Sequence, residues 1–264
     1  MTAEDTGLAA GYVWDNAMEE ARQRLGLLEQ TYDRGTLPCL DAVGVGPGWS
    51  CLEVAGGGGS ITRELCARVG PTGRVVSVDL DTRFLEEIEA PNLEVVSRDI
   101  VAHGLPEGEF DLVHVRALLM HLHERDQLFK MLAGAVRPGG WLLIEEPDLY
   151  AVEALATDAF AAVWPIAIGA LAPAGLEPRF GRRLPGLLRA EGFLDVTCEM
   201  DNFLYPGGSP AARFLQMTLE QAAEKVSFSP EDQAVIDAAI AELDDPDRWF
   251  PPVGMVAAWG RRRP

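Results

Sequence analysis

Residues 52–60 read LEVAGGGGS: a short apolar run holding one acid, Glu53, then four consecutive glycines and a serine. Glycine loses more backbone entropy on folding than any other residue. Four in a row inside a folded region therefore mark a place where something approaches the backbone closely. The next stretch, ITRELCARV (61–69), has the apolar spacing of a helix, with Ser60 placed as its N-cap. A strand, a glycine turn and a helix make the first unit of an α/β sheet.

The same alternation continues outward from this point. RVVSVDL (74–80), LEVVSRD (93–99), FDLVHVR (110–116) and WLLIEE (141–146) are rich in β-branched and apolar residues and read as strands. Helical patterns cover 82–89 and 125–136, and the turns GPTG (70–73) and RPGG (137–140) punctuate the run. Further on, 184–191 is a helix, FLDVTCEM (193–200) a strand, 211–226 and 230–243 helices, and MVAAWGRR (255–262) a last strand. Residues 12–36 form an amphipathic helix, with Tyr12, Met18, Ala21, Leu25 and Leu28 on one stripe. β-runs separated by helices predict a parallel, doubly wound α/β sheet with right-handed crossovers.

The chain of 264 residues is 48% hydrophobic and 24% charged, which is ordinary globular composition. We read one domain over 1–264: an N-terminal helical cap (1–47), a ligand-binding core (48–146), and two inserts (147–183 and 205–252) that cover the substrate. The most apolar stretch, 159–176, is broken by Pro165, Gly169 and Pro173, so no transmembrane helix is expected. The acidic start MTAEDTGLAAG lacks the basic region of a signal peptide, and Cys39, Cys51, Cys66 and Cys198 show no paired spacing; a cytoplasmic protein with reduced thiols is expected. A net charge of −19 repels phosphate backbones and anionic lipid, which excludes nucleic acid and membrane as expected partners.

Two ligand classes use a glycine turn after a first strand: dinucleotides and S-adenosylmethionine. The dinucleotide spacing G-x-G-x-x-G fails, because counting from Gly57 ends on Thr62 and counting from Gly56 ends on Ile61. A pyrophosphate is also ill served by Glu53, whereas a sulfonium and an ammonium group suit acidic surroundings.

Residues 48–146 resemble the class I, Rossmann-like S-adenosylmethionine-dependent methyltransferases, with LEVAGGGGS, VVSVDLD, SRDI, FDLVHVRALLMHL and RPGGWLLIEE in that family's motif order. The resemblance implies a seven-stranded, mostly parallel sheet of order 3-2-1-4-5-7-6. It implies S-adenosylmethionine as cofactor, held by Glu53, Ala55, Gly57, Gly59, Asp79, Leu80, Asp99, Ile100 and Arg116. Asp79 would accept both ribose hydroxyls; Asp99 would face the adenine amine and Ile100 its ring. The family's first motif glycine is Ala55 here, which is compatible with a negative φ if Gly56 takes the unusual conformation. The inserts resemble those of small-molecule methyltransferases from natural-product pathways.

Methyl transfer needs an aligned nucleophile and, for a hydroxyl or protonated amine, a base. His121, just after the fourth strand, is the candidate base, with a packing or capping histidine as the alternative; His114, inside that strand, reads as structural. No metal site is expected. Arg116 either binds a carboxylate or pairs with an acid such as Glu145 or Glu146. Tyr12, Trp14, Glu146, Trp164 and Trp249 are candidate substrate-pocket residues, and Asp148 is expected to face the same pocket. The expected reaction is O-methylation of a small molecule in secondary metabolism, with N- or C-methylation next. The alternatives are an NAD(P)-dependent oxidoreductase and a cofactor-binding relative with other chemistry. A homodimer would suit the apolar face of the first helix.

Overall fold

The structure is a computed structural model that describes residues 20–106 and 109–264. Its elements in chain order are α1 (Ala21–Val43), β1 (Ser50–Val54), α2 (Ser60–Val69), β2 (Arg74–Asp79), β3 (Leu93–Ser97), α3 (Ile100–His103), β4 (Phe110–Arg116), α4 (Arg125–Ala135) and β5 (Val136–Asp148). There follow α5 (Tyr150–Leu155), α6 (Asp158–Leu171), α7 (Leu184–Ala190), β6 (Leu194–Asp201), β7 (Tyr205–Pro206), α8 (Pro210–Lys225), α9 (Pro230–Leu243), β8 (Trp249–Phe250) and β9 (Gly254–Arg261).

The main sheet has seven strands in the order β3-β2-β1-β4-β5-β9-β6. Since β9 is the seventh strand of this sheet in sequence, the order is the expected 3-2-1-4-5-7-6. The strands from β3 to β5 run parallel, and β9 lies antiparallel to both β5 and β6. The central strands are buried on both faces, as helix-covered parallel strands must be. On one face Leu52, Val113 and Ile144 pack against Leu128 and Phe129 of α4 and Leu184 and Leu188 of α7. On the other, Cys51, Val75 and Leu143 pack against Leu40 and Val43 of α1 and Ile61 and Leu65 of α2. A separate core, with Tyr32, Phe160, Phe214, Ile236 and Phe250, joins α1, α6, α8 and α9 into a cap.

Four local expectations change. The first helix runs through Pro38 to Val43 and ends at Gly44, where φ is +82°; its part before residue 20 lies outside the described residues. Residues 82–89 form successive turns instead of a helix. One helical bond, Glu86 N–H to Thr82 O, is followed by a tighter Ile88 N–H to Leu85 O, and Leu85 packs over the glycine loop. Ser60 is the first helical residue of α2, with Gly59 in the cap position. RPGG is part of β5, as an irregularity between the Phe110–Val136 and Leu112–Trp141 pairs.

Candidate active site

A cavity of about 430 Å³ opens at the carboxyl ends of β1, β2 and β4, where open α/β sheets receive ligands. The glycine loop forms its floor, and α1, α6 and α8 contribute walls through Leu25, Tyr32, Trp164 and Phe214. Tyr32 meets Phe214 edge-on with ring centroids 6.0 Å apart.

The four glycines have separate causes. A Cβ on Gly56 would lie 2.4 Å from Ser77 Oγ and 3.0 Å from Leu85 Cδ2, so the loop can pass over β2 only without a side chain there. Gly57 is left-handed (φ +55°) and donates its N–H to Asp79 Oδ2 at 2.9 Å, which joins the loop to the end of β2. Gly59, at φ +88°, turns the chain into α2. A Cβ on Gly58 would meet the carboxylate of Glu29, reaching down from α1.

That carboxylate does what a local N-cap side chain normally does. Glu29 Oε1 accepts the Ser60 N–H at 3.0 Å, while Ser60 Oγ donates to Asp33 Oδ1 at 3.1 Å. The start of α2 is thus capped from α1, one helix clamping the other over the loop.

Ala55 overturns an expectation. It is itself left-handed, with φ +59°, and Gly56 does not take that conformation for it. Ala117, directly after β4, has φ +54°, so the ends of two adjacent strands both place an alanine with left-handed backbone on the cavity wall. A Cβ in this region costs about 1–2 kcal/mol, and a glycine gives back part of that through unfolded-state entropy. Ala55→Gly is expected to raise stability by about 0.5–1 kcal/mol in urea unfolding; a loss would show that the alanine is unstrained.

Of the residues expected at the cofactor, Glu53, Ala55, Gly57, Asp79, Leu80, Asp99, Ile100 and Arg116 line the cavity, whereas Gly59 lies behind it as the cap of α2. Leu80 is 53% exposed, an apolar surface left uncovered beside Asp79. Burial raises the Asp79 carboxyl above the usual carboxylate range, against the N–H groups of Gly57 and Asp81 that favour its charge. Asp99 Oδ1 accepts from Val101 and Ala102 N–H at 2.9 and 3.0 Å and caps α3. Arg116 pairs with Asp33 (2.8 Å) and Thr36 Oγ1 (2.9 Å), both on α1, and not with Glu145 or Glu146.

The remaining candidates divide. Trp164 and His121 line the cavity. Tyr12 and Trp14 lie outside the described residues. Trp249, on the short β8, is 62% exposed and away from the cavity. Glu146 is fully buried and faces the turn after β4, where it accepts three N–H groups: Leu118 (3.1 Å), Leu119 (2.7 Å) and Met120 (3.1 Å). It anchors the segment that presents His121 and does not line the pocket. Burial outweighs those N–H groups and pushes its carboxyl up to about 7. Asp148, also expected at the pocket, is held by Arg182 in a bidentate pair at 2.6 and 2.7 Å.

His114 is structural, as its place in β4 suggested, and joins a buried chain of charges. Its Nδ1 is 2.6 Å from Glu53 Oε2 and its Nε2 2.9 Å from Glu145 Oε2. Thr36 Oγ1 donates to the same Glu145 oxygen at 2.8 Å. Burial alone would strip the imidazole of its proton, but the two carboxylates outweigh it and push the pKa up to about 9. An imidazolium therefore bridges β1, β4 and β5 beneath the cavity.

His121 behaves in the opposite way. Burial first, then the positive charges of Arg24 and Arg125, push its pKa down to about 3. The near-neutral value expected of a general base is absent; at physiological pH this imidazole is neutral.

Residues of α1 were not anticipated: Arg24, Glu29, Tyr32, Asp33 and Thr36. The signal is in the sequence, since 25, 28, 29, 32, 33 and 36 recur at helical spacing and share one face, but its polar members look like the solvated side of an amphipathic helix.

Strand order, glycine loop and the acid closing β2 together define a class by fold: this is the Rossmann-like α/β fold shared with class I methyltransferases. Within it, residues 52–144 match the family described as a methyltransferase domain. Among curated proteins, the chain is 32% identical to the ubiquinone/menaquinone biosynthesis C-methyltransferase UbiE of Hahella chejuensis over 115 residues, covering 40% of this chain and 46% of that protein. The match thus spans less than half the length of that relative. Among solved structures, it resembles a cyclopropane-fatty-acyl-phospholipid synthase-like protein from Lactobacillus casei (TM-score 0.61, 18% identity, 95% of this chain and 94% of that one). It also resembles Haemonchus contortus phosphoethanolamine N-methyltransferase 2, solved with phosphomonomethylethanolamine and S-adenosylhomocysteine (TM-score 0.59, 16% identity, 94% and 59%). No helix among the described residues is long and apolar enough to cross a membrane.

Proposed function

We propose that this chain transfers a methyl group from S-adenosylmethionine to a small, largely apolar acceptor. One observation carries the reading: a single cavity joins the glycine loop and Asp79 at one end to a wall of Met120, Leu122, Trp164, Leu176, Phe214 and Met255 at the other. The residues fit the cofactor. Asp79 offers a carboxylate to the ribose, Leu80 and Ile100 offer apolar surface to the adenine, and Asp99 stands beside them. Glu53, an acid on the cavity wall, suits a sulfonium and an ammonium group.

When bound, the cofactor supplies an electrophilic methyl group. The chain contributes position and field. The turn anchored by Glu146 brings Leu118, Met120 and His121 to the acceptor side. The neutral His121 can orient an acceptor without placing a second cation against the sulfonium; a pKa of about 3 leaves it a weak base. The curated relative is named a C-methyltransferase, which supports considering carbon beside oxygen as the acceptor atom. A net charge of −19 favours a small molecule over nucleic acid.

The reading is tested by thermal unfolding with S-adenosylhomocysteine, S-adenosylmethionine and NADH in parallel. Ligand at about a hundred times its dissociation constant stabilises the fold by about 2.7 kcal/mol, a rise of roughly 5–10 °C for a chain of this size. We expect that rise with the two adenosyl ligands and none with NADH; the reverse pattern would replace methyl transfer by hydride transfer.

A further inference from the structure

Arg24 is 5% exposed, lines the cavity, and has a buried Nε with no hydrogen-bond partner among the described residues. No carboxylate among them lies within ion-pair distance of it, in a chain with 41 acidic residues against 22 basic ones. The neighbouring arginines are engaged: Arg116 with Asp33, and Arg125 with the carbonyls of Leu119 and Gly175. The same cavity holds a second orphan, Trp164 Nε1, also buried and without a partner. Both groups can only donate. Buried donors are almost always satisfied, so two of them in one cavity call for a ligand that brings acceptor oxygens.

We propose that Arg24, assisted by Trp164, recognises an oxyanion on the acceptor, so that the acceptor is an apolar molecule carrying one phenolate, enolate or carboxylate. The proposal rests on the methyl-transfer reading and adds the substrate class to it. Arg24 lines the same cavity as His121, on the turn after β4, and as Met120 and Trp164 of the acceptor wall; the S-adenosylhomocysteine titration below separates an acceptor anion from the cofactor's own carboxylate. A buried charge with no ion-pair partner among the described residues is a cost to folding, which a bound anion would offset. An acceptor held as its anion is already nucleophilic, which accords with a His121 too weakly basic to take its proton.

The test uses the full chain saturated with S-adenosylhomocysteine, with 4-nitrophenol as an ionisable probe and 4-nitroanisole as its neutral counterpart. We expect the wild type to hold 4-nitrophenol as the yellow phenolate at a pH below the phenol's solution pKa, and to bind it at least about tenfold tighter than the anisole. Arg24→Met should abolish that preference, and Trp164→Phe should reduce it about threefold to fivefold. Neither should change affinity for S-adenosylhomocysteine by more than about twofold. Arg24→Met should also melt a few degrees higher than wild type without ligand, since it removes an unpaired buried charge; this shows that the variant folds and separates recognition from scaffolding. Equal binding of the two probes by the wild type would overturn the proposal. So would a parallel loss of phenolate and S-adenosylhomocysteine affinity in Arg24→Met, which would give Arg24 to the cofactor's carboxylate. A wild type that fails the first S-adenosylhomocysteine titration would overturn the methyl-transfer reading, a failure visible before either probe is added.

Discussion

His114→Leu is expected to cost about 3–5 kcal/mol of folding stability, because it leaves Glu53 and Glu145 buried together without the imidazolium between them. The corresponding fall in melting temperature is roughly 10 °C or more. The sign of the pH dependence follows from the raised pKa. In the unfolded chain the imidazole titrates near 6.5, and in the folded protein near 9. Its contribution is fully present below about pH 6.5 and is lost as pH rises through about 9, a decline on the order of 3 kcal/mol for the wild type. Urea unfolding at pH 6.5 and 9.5 should show that decline in the wild type and a much flatter profile in His114→Leu. Adding Glu53→Gln and Glu145→Gln to the variant should restore part of the loss, since the repulsion is then gone. Equal stability and equal pH slopes for variant and wild type would mean that the imidazole is neutral and the two acids share a proton.

Asp79→Ala should raise the dissociation constant for S-adenosylhomocysteine by about two to three orders of magnitude. Each hydrogen bond to a charged acceptor is worth about 1.5–3 kcal/mol, and the ribose offers two hydroxyls. The carboxylate also receives Gly57 N–H, so its removal loosens the loop on which the ligand lies. Asp79→Asn keeps the shape and one acceptor oxygen and should lose less, about tenfold to thirtyfold. Calorimetric titration reads both, with circular dichroism confirming the fold. Wild-type affinity in Asp79→Ala would move the ribose away from the end of β2.

The sheet was legible because its central strands are buried on both faces and therefore read as short runs rich in β-branched and apolar residues. Asp79 and Asp99 came instead from the resemblance of VVSVDLD and SRDI to the methyltransferase motifs. Side-chain direction was harder. Glu146 and Asp148 stand at the carboxyl end of β5, where a pocket residue is expected, yet both carboxylates are committed to neighbouring chain: one to the turn at 118–120, the other to Arg182. Nothing in EEPD distinguishes an acid that meets substrate from one that caps a turn. Trp249 failed for a related reason, since the two-residue β8 turns it outward. The contribution of α1 was hidden because Glu29, Asp33 and Thr36 look like the solvated side of an amphipathic helix until the glycine loop is laid beneath them. The backbone of Ala55 was misjudged because local sterics favour negative φ, while the Ala55 N–H to Val78 O bond (2.8 Å) and the packing of Gly56 on Ser77 hold it positive.

The place of β9 has a consequence for biosynthesis. This strand fills the gap between β5 and β6, and β6 has no other neighbour in the sheet. Ribosomes extend a chain by about 5–20 residues per second, so the roughly one hundred residues separating the end of β5 from β9 take roughly 5–20 s to make. Throughout that interval the nascent chain carries an apolar strand with an open edge, the arrangement most prone to pairing with another copy. Yield should therefore depend on how quickly the ribosome reaches residue 261 and on chaperones that occupy the edge meanwhile, more than on the thermodynamic stability of the finished fold.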